Sequence, residues 1–431
     1  MSLEQKSVEL LSDLIRFNTV NPPGNEIHIQ MHLKGLLEAA GFEVELHGAE
    51  PDRPNLVATL GDPTSGPVLG LLSHVDTVLA HPDDWAHDPW CGDVIDGQVW
   101  GRGAIDMKSQ TAAEVMAAVE LAAGGWRPER GALKVIVVAD EETGGQLGAR
   151  WLVREQTELA RCDWLINEGG GSVIHYGGRR MYGVCCGEKG VFRFSVTTSG
   201  TAGHASMPQL GDNSLLKVAP LLEKFAAKQP SPTLVPEAEA MLRALGADPA
   251  DPVAALAQIT ATEPRLAAII GPLLGVTLAP TRITASDKIN VIPAKTTIQV
   301  DCRIPPGMGE EVALAAAEEV LGTEGYELEF LERIPGNRSA AEGELWDAIG
   351  ASIGEEDGEG EVFPVLLAGY TDSVAFREAY PEISAYGFFP QTEMDLFATA
   401  PLIHGADERI SAADVGVAAR CYTSVIRRLL G

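Results

Sequence analysis

Three apolar runs along the chain stop abruptly on metal-binding side chains. They are 69–76 (LGLLSHVD), 135–142 (VIVVADEE) and 164–168 (WLINE). Each run predicts a buried strand whose last residues switch to His, Asp or Glu. In open α/β sheets, ligands collect at the carboxyl ends of parallel strands. Imidazoles and carboxylates delivered there by separate strands are the parts of a hydrolytic metal site.

The remaining pattern places these strands in a larger frame. Residues 4–17 and 26–41 carry helical apolar spacing and are split by the turn Asn21-Pro22-Pro23-Gly24. Strands follow near 42–47, 54–60 and 67–73, then a long Trp-rich polar loop over 77–103. A helix is predicted over 107–124, a strand over 133–139, a helix near 144–156 and a strand over 163–167. Strands alternating with helices predict an α/β fold, a mainly parallel mixed sheet with helices on both faces.

After about residue 188 the texture changes. The segment 192–199 (FRFSVTTS) alternates apolar and polar residues, as a half-exposed antiparallel strand does. Residues 213–228 read as a helix, and 230–280 as helical stretches rich in Pro, Ala and Leu, near 236–245, 252–260 and 263–275. The segment 289–304 (INVIPAKTTIQVDCRI) reads as a turn between two strands, and 309–321 as a helix. The expected division is a catalytic α/β domain over 1–188 and 309–431, with an inserted α+β lid domain over 189–308.

A chain of 431 residues exceeds what one core comfortably serves, which agrees with two domains. The net charge of -29 argues against nucleic acid and anionic membranes, since both need a positive footprint. The first residues hold acidic groups and no apolar leader core, so no signal peptide is expected. The apolar stretch 266–280 is broken by Gly271, Pro272 and Gly275 and is too short to span a bilayer. Six cysteines without CxxC spacing read as reduced thiols of a cytoplasmic protein.

Each chemical motif has two readings when taken alone. His74 and Asp76 sit two apart at a strand end, so their side chains share a face; one can bind metal while the other orients the imidazole. Asp106, in GRGAIDMK, is either a helix N-cap or a carboxylate with one oxygen for each of two metals. Glu141 and Glu142 are either a solvated acidic turn or a ligand beside a general base. Glu168 ends the third run, and His404 lies in the charged loop 402–410 (LIHGADERI). His28 and His32 are spaced i,i+4, but HIQMH lacks the glutamate of an HExxH motif and reads as a solvated face.

Seven blocks taken together narrow these readings: SHVDTV, GRGAIDMK, ADEETGG, NEGGG, GHASMP, NVIPAKTTIQVDCR and HGADERIS. In this order and spacing the chain resembles the M20 family of dinuclear zinc peptidases and amidohydrolases over nearly its whole length. The resemblance implies two zinc ions per subunit, with cobalt or manganese as substitutes. It implies His74, Asp106 and Glu168 as ligands of one ion and Asp106, Glu142 and His404 of the other. Asp76 would clamp His74, and Glu141 would act as general base toward a metal-bridging water. In the lid, His204 of Gly203-His204-Ala205-Ser206 would polarise the scissile carbonyl. Asn290, Arg303, Thr371 and Arg377 would hold the substrate, the arginines through its carboxylate.

A helical insert near 230–280 resembles the carboxypeptidase S-like branch. It either packs the lid or lines an acyl pocket with Leu266, Ile269, Ile270, Leu273 and Leu274. The expected activity is hydrolysis of an amide bond adjacent to a free carboxylate, on an N-acyl-amino acid or small peptide. A dipeptidase or carbamoyl/succinyl-amide hydrolase is the second enzymatic reading, and a non-catalytic metal-binding protein on this scaffold the third. A homodimer through the lid domain is the expected partner arrangement; neither nucleic acid nor a membrane is expected.

Overall fold

The computed structural model describes residues 1–431. The chain divides into two compact units. The first comprises 1–186, 339–365 and 371–431. The second comprises 187–338 and 366–370.

The first unit is built on a large mixed sheet. Its strand order is Glu43–His47, Asn55–Gly61, Ala132–Val138, Val68–His74, Trp164–Asn167, Ser384–Gly387, Arg179–Glu188, Gly170–Tyr176 and Gln391–Asp395. The four strands from Ala132–Val138 to Ser384–Gly387 run parallel to one another. Antiparallel pairs flank them on both sides, so the sheet is mixed and its parallel part is the centre. Strands of this parallel block deliver His74, Asn167 and the turn after Val138 to one edge. That edge is where the three apolar runs end.

The strand Ala132–Val138 shows why this sheet is covered twice. Leu133, Val135 and Val137 enter one buried cluster, while Ile136 and Val138 enter another. Side chains of period two alternate between the faces, so an uninterrupted apolar run serves two helix layers. On the first face pack the helices Leu3–Arg16, Lys108–Ala123, Glu344–Glu356 and Ala412–Leu430. On the second pack Ala149–Glu155 and Ser373–Ala379. Leu3–Arg16 opens on a capping box, with Ser2 Oγ accepting from Gln5 N and Gln5 Oε1 accepting from Ser2 N. Lys108–Ala123 is buried over most of its length, and its alanines at 112, 113, 117 and 118 let neighbouring helices approach closely.

The second unit has an antiparallel sheet. Lys295–Ile304 pairs with Phe194–Ser199 on one side and Thr277–Thr284 on the other. Phe194–Ser199 pairs in turn with Glu327–Phe330. The helices Ala219–Ala227 and Glu310–Leu321 cover it, burying Leu221, Phe225, Ala313, Ala317 and Leu321 with Phe194, Val196 and Val300. This unit therefore extends to Arg338, past the expected boundary at 308. The reason is packing: the helix after 308 lacks a strong sequence marker of its partner, and the strand Glu327–Phe330 completes this sheet.

Within the insert, Leu266, Ile270, Leu273 and Leu274 are buried, whereas Ile269 is exposed. Leu274 also lines an apolar groove of about 610 Å³ with Val253, Leu256, Pro272 and Val276. The buried Lys189 anchors the end of the insert, donating from Nζ to Pro272 O at 2.7 Å and Gly275 O at 2.7 Å. No helix of the chain is long and apolar enough to cross a membrane.

Candidate metal centre

Asp106 stands between two imidazoles. Its Oδ1 lies 3.1 Å from His74 Nε2 and its Oδ2 lies 3.2 Å from His404 Nε2. Glu168 Oε2 is 3.9 Å from His74 Nε2, and Glu142 Oε2 is 3.1 Å from His404 Nε2. Around one tetrahedral first-row cation with bonds of 2.0–2.2 Å, donor atoms lie about 3.4 Å apart. The spacing here is of that size.

The donors form two groups, His74 with Glu141 and Glu168, and Asp106 with Glu142 and His404. Within each, the donor atoms lie within 4.8 Å of one another. Imidazole and carboxylate donors suit zinc and its first-row neighbours. Neither His28 nor His32 belongs to either group; His28 is exposed and His32 packs on the ring of Phe17.

The charge balance points the same way. Burial works against a charged His74, yet hydrogen bonds to Asp106 and Asp76 outweigh it and raise its pKa well above the usual value. His404 is pushed up to about 10 by Asp106 and Glu142. Burial would raise the Asp106 carboxyl, but His404 and His74 hold it below the usual range. Burial raises both Glu141 and Glu168, helped by the charge of Glu168 at the first and of Asp106 at the second. Four carboxylates thus crowd a site balanced only by imidazoles, an arrangement that demands added positive charge.

Asp76, fully buried, does more than orient His74. The His74 Nδ1 lies 3.0 Å from Asp76 O and 3.5 Å from Asp76 Oδ1. The same carboxylate accepts from Glu141 N at 3.1 Å through Oδ1 and from Glu142 N at 3.2 Å through Oδ2. It thereby ties the strand end at His74 to the turn that carries both glutamates. Asn21 Nδ2 joins in, donating to Asp76 Oδ2 at 2.8 Å and lying 3.2 Å from Asp140 Oδ1. Asp140 takes a left-handed conformation, φ 69°, just before Glu141. Arg53 pairs with it at 3.1 Å and with the buried Glu26 at 2.6 Å.

A side chain at Gly24 would bring its Cβ within 2.2 Å of Arg53 Nε. The Asn21–Gly24 turn is therefore part of the support of the centre, a role its turn chemistry alone did not signal. Glu26, Arg53 and Asp140 are likewise residues that sequence reasoning missed. A buried ion pair 27 residues apart leaves no local pattern to find.

The structure gathers His74, Asp76, Asp106, Glu141, Glu142, Glu168 and His404 in the first unit. Thr371 is also in this unit; its Oγ1 accepts from Asn167 Nδ2 at 3.1 Å, beside the strand end that carries Glu168. Arg377 is buried and donates to Ala385 O at 2.5 Å and to Ser339 Oγ at 3.4 Å. Those contacts join its helix to the neighbouring strand. They hold the guanidinium toward the protein interior.

His204, Asn290 and Arg303 lie in the second unit. His204 is exposed, and its Nδ1 accepts from Ser206 N at 3.2 Å, with Ser206 Oγ at 2.8 Å. Asn290 O accepts from Ala205 N at 3.1 Å, so Asn290 and His204 share one loop cluster. Arg303 pairs with Asp301 at 2.7 Å.

A probable succinyl-diaminopimelate desuccinylase of Staphylococcus aureus (strain MRSA252) is 32% identical over 227 residues, 52% of this chain and 52% of that protein. Succinyl-diaminopimelate desuccinylase 2 of Ruegeria sp. (strain TM1040) is 31% identical over 225 residues, 51% of this chain and 53% of that protein. The chain spans about half the length of the curated relatives it matches.

Among solved structures, the M20 family metallo-carboxypeptidase Sso-CP2 of Sulfolobus solfataricus superposes with a TM-score of 0.71 at 16% identity, over 98% of each chain. A dinuclear metal binding peptidase of Bacillus subtilis superposes with a TM-score of 0.57 at 15% identity, over 99% of this chain and 98% of that one. At such identities these two share the fold. The model of the peptidase family M20/M25/M40 matches residues 70–428, a span that holds all seven gathered residues, and the chain belongs to that family.

Proposed function

We propose that the protein hydrolyses an amide bond next to a free carboxylate, on an N-acyl-amino acid or a small peptide, with two divalent cations at the centre. Membership of a peptidase family places it among hydrolytic enzymes. The observation that carries the reading is Asp106, whose two carboxylate oxygens each face a different imidazole at 3.1 and 3.2 Å. His74, Asp106 and Glu168 would hold one cation, and Asp106, Glu142 and His404 the other, with zinc the first choice. Cations bound there would supply Lewis-acid polarisation of the scissile carbonyl and lower the pKa of water.

The chain's own groups would carry the proton and hold the substrate. Glu141 stands in the His74 donor group and is assigned the base. A carboxylate oxygen of Glu141 takes the proton of the attacking water and hands it to the leaving amine nitrogen. Asp76 keeps that base in place through the Glu141 N–H.

His204 is assigned the developing oxyanion. Its Nδ1 accepts from a backbone N–H, which leaves the proton on Nε2, the nitrogen that can donate. Arg303, with Asn290 and Thr371, is assigned the substrate carboxylate and its surroundings. Arg303 is the better of the two candidate guanidiniums, since its partner Asp301 is itself partly exposed.

The test is Glu141→Ala in metal-loaded protein, assayed on N-acyl-amino acids, dipeptides and N-succinyl-amino acids. Turnover is expected to drop by about 10²–10⁴, with metal content unchanged and activity abolished by a chelator in the wild type. Near-wild-type turnover of the loaded variant would overturn the assignment. The alignments with desuccinylases favour a second reading, hydrolysis of a succinyl amide. In that case kcat/KM on the N-succinyl substrates exceeds that on the other two classes.

A further inference from the structure

Glu408 is a carboxylate with no solvent exposure, four residues after His404, and it belongs to neither donor group. Its Oε1 accepts from Ile105 N at 2.7 Å and from Asp106 N at 3.0 Å. Its Oε2 accepts from Arg102 Nη1 at 2.6 Å and from Gly103 N at 3.2 Å. All four donors come from the loop that ends in Asp106. Arg102 then reaches back, donating from Nη2 to Gly405 O at 2.9 Å and to His404 O at 3.4 Å. Its guanidinium lies over the Trp85 ring, 5.2 Å from the centroid.

Burying a carboxylate is costly unless the lost hydration is replaced. Four donors replace it here, and they link two particular loops. One carries Asp106 and the other carries His404. Neither ligand sits on a strand of the large sheet. His404 lies in a turn with φ 58°, and regular structure resumes only at Arg409–Ser411. A short ladder, Arg409–Ser411 on Gln98–Trp100, continued by Gly101 N donating to Glu408 O at 3.0 Å, joins the two loops on the side away from the donors. Nearer the donors, the Glu408 carboxylate and the Arg102 guanidinium tie the Asp106 loop to the His404 loop.

We infer that Glu408 is a positioning residue that sets the spacing of Asp106 and His404, and so the affinity of the Asp106, Glu142 and His404 group for its divalent cation. The inference rests on the metal-centre reading above. It says nothing of proton transfer, and it predicts an effect on one cation more than on the other. Asp106 would serve both cations, but His404 only one.

Glu408→Gln preserves shape while placing an N–H donor against the donors that now surround Oε1 or Oε2. Arg102→Met cuts the arm to His404 while leaving Glu408 its backbone bonds. Zinc or cobalt is titrated into metal-free protein against a chelating indicator, with far-UV circular dichroism confirming the fold.

Wild type is expected to take two equivalents. In Glu408→Gln one equivalent should stay within about threefold, while the other loses about tenfold or more in affinity. Arg102→Met should shift it in the same direction, and decides the matter alone if Glu408→Gln does not fold. The inference is overturned if both equivalents keep their affinity, or if both weaken alike, as a merely structural defect would cause. A wild type that takes fewer than two equivalents overturns the metal-centre reading and this inference with it, an outcome distinct from the other two.

Discussion

His74 and His404 approach the same carboxylate at nearly the same distance, 3.1 and 3.2 Å. Yet the side chain of His74 is 1% exposed and that of His404 is 54% exposed. His74 closes a strand hydrogen-bonded on both sides, to Ala132–Val138 and to Trp164–Asn167. Glu168 follows directly on the second of these neighbours. Sheet register therefore fixes this half of the centre.

His404 and Asp106 lie on loops that leave a short ladder, Gln98–Trp100 with Arg409–Ser411, and nearer the donors a buried ion pair, Glu408 with Arg102, ties them together. The two halves also differ in what their burial stabilises. Removing a strand-borne ligand disturbs a packed core. Removing a loop-borne one disturbs little beyond the metal. One centre thus combines a half whose geometry comes with the fold and a half whose geometry is built separately for the site.

The change with the largest expected effect is Asp106→Ala, which strikes both halves at once. Isothermal titration of metal should fall from two equivalents toward none. Losing several kcal/mol of metal-derived stabilisation corresponds to about 10³ or more in turnover. Retention of two tightly held equivalents would show that the halves do not share this carboxylate.

A smaller effect separates the halves. In chelator, His74→Ala should lower unfolding stability by about 2–3 kcal/mol, because it leaves a void in a buried network and takes one partner from Asp76. His404→Ala should cost less than about 1 kcal/mol, as exposed ion pairs do. Urea unfolding of the two variants measures the difference, and equal losses would erase the distinction drawn above.

The smallest effect per pH step lies in the second unit and gives a metal-independent reference. Burial pushes Lys189 down to about 7, near Cys302 and the Asp301–Arg303 pair. Its pKa in the unfolded chain is the ordinary 10.5. Between these values the unfolded chain binds more protons, so stability rises with pH. The gain is complete above about 10.5 and is lost as pH falls through 7, with a slope of at most about 1.4 kcal/mol per pH unit. Lys189→Met should flatten the pH dependence of urea unfolding over that window. The flattening should be the same with and without metal.

The contrast between the halves also explains what was legible in the chain. The apolar runs predict strands at 67–73, 133–139 and 163–167, and the strands are Val68–His74, Ala132–Val138 and Trp164–Asn167. An apolar run ended by a ligand is a local signal, so the strand-borne half could be read directly. The expected helix over 144–156 begins only at Ala149. Gly144 and Gly145 take φ 100° and 68°, prolonging the turn that presents Glu141 and Glu142.

Strand direction was less legible. Hydrophobic period does not encode whether neighbours run parallel, and antiparallel pairs flank the parallel centre while the edge strand Gln391–Asp395 runs parallel to Gly170–Tyr176. The strand Ser384–Gly387 enters the sheet beside Trp164–Asn167, from more than 200 residues away. The motif HGADERI shows its limits most clearly. Its histidine is exposed and its glutamate is fully buried, the reverse of what a charged loop suggests.

By itself the sequence determined the α/β class and the family and marked the candidate donor residues, because each is written in short blocks of fixed residue type and spacing. Only the tertiary structure decided which oxygens of Asp106 meet which imidazole. Only it showed that Asp76 holds the backbone of the Glu141–Glu142 turn, that Arg377 faces inward, and that Glu408 joins two loops. These follow from long-range packing and from the cost of burying charge, and neither leaves a trace in local spacing.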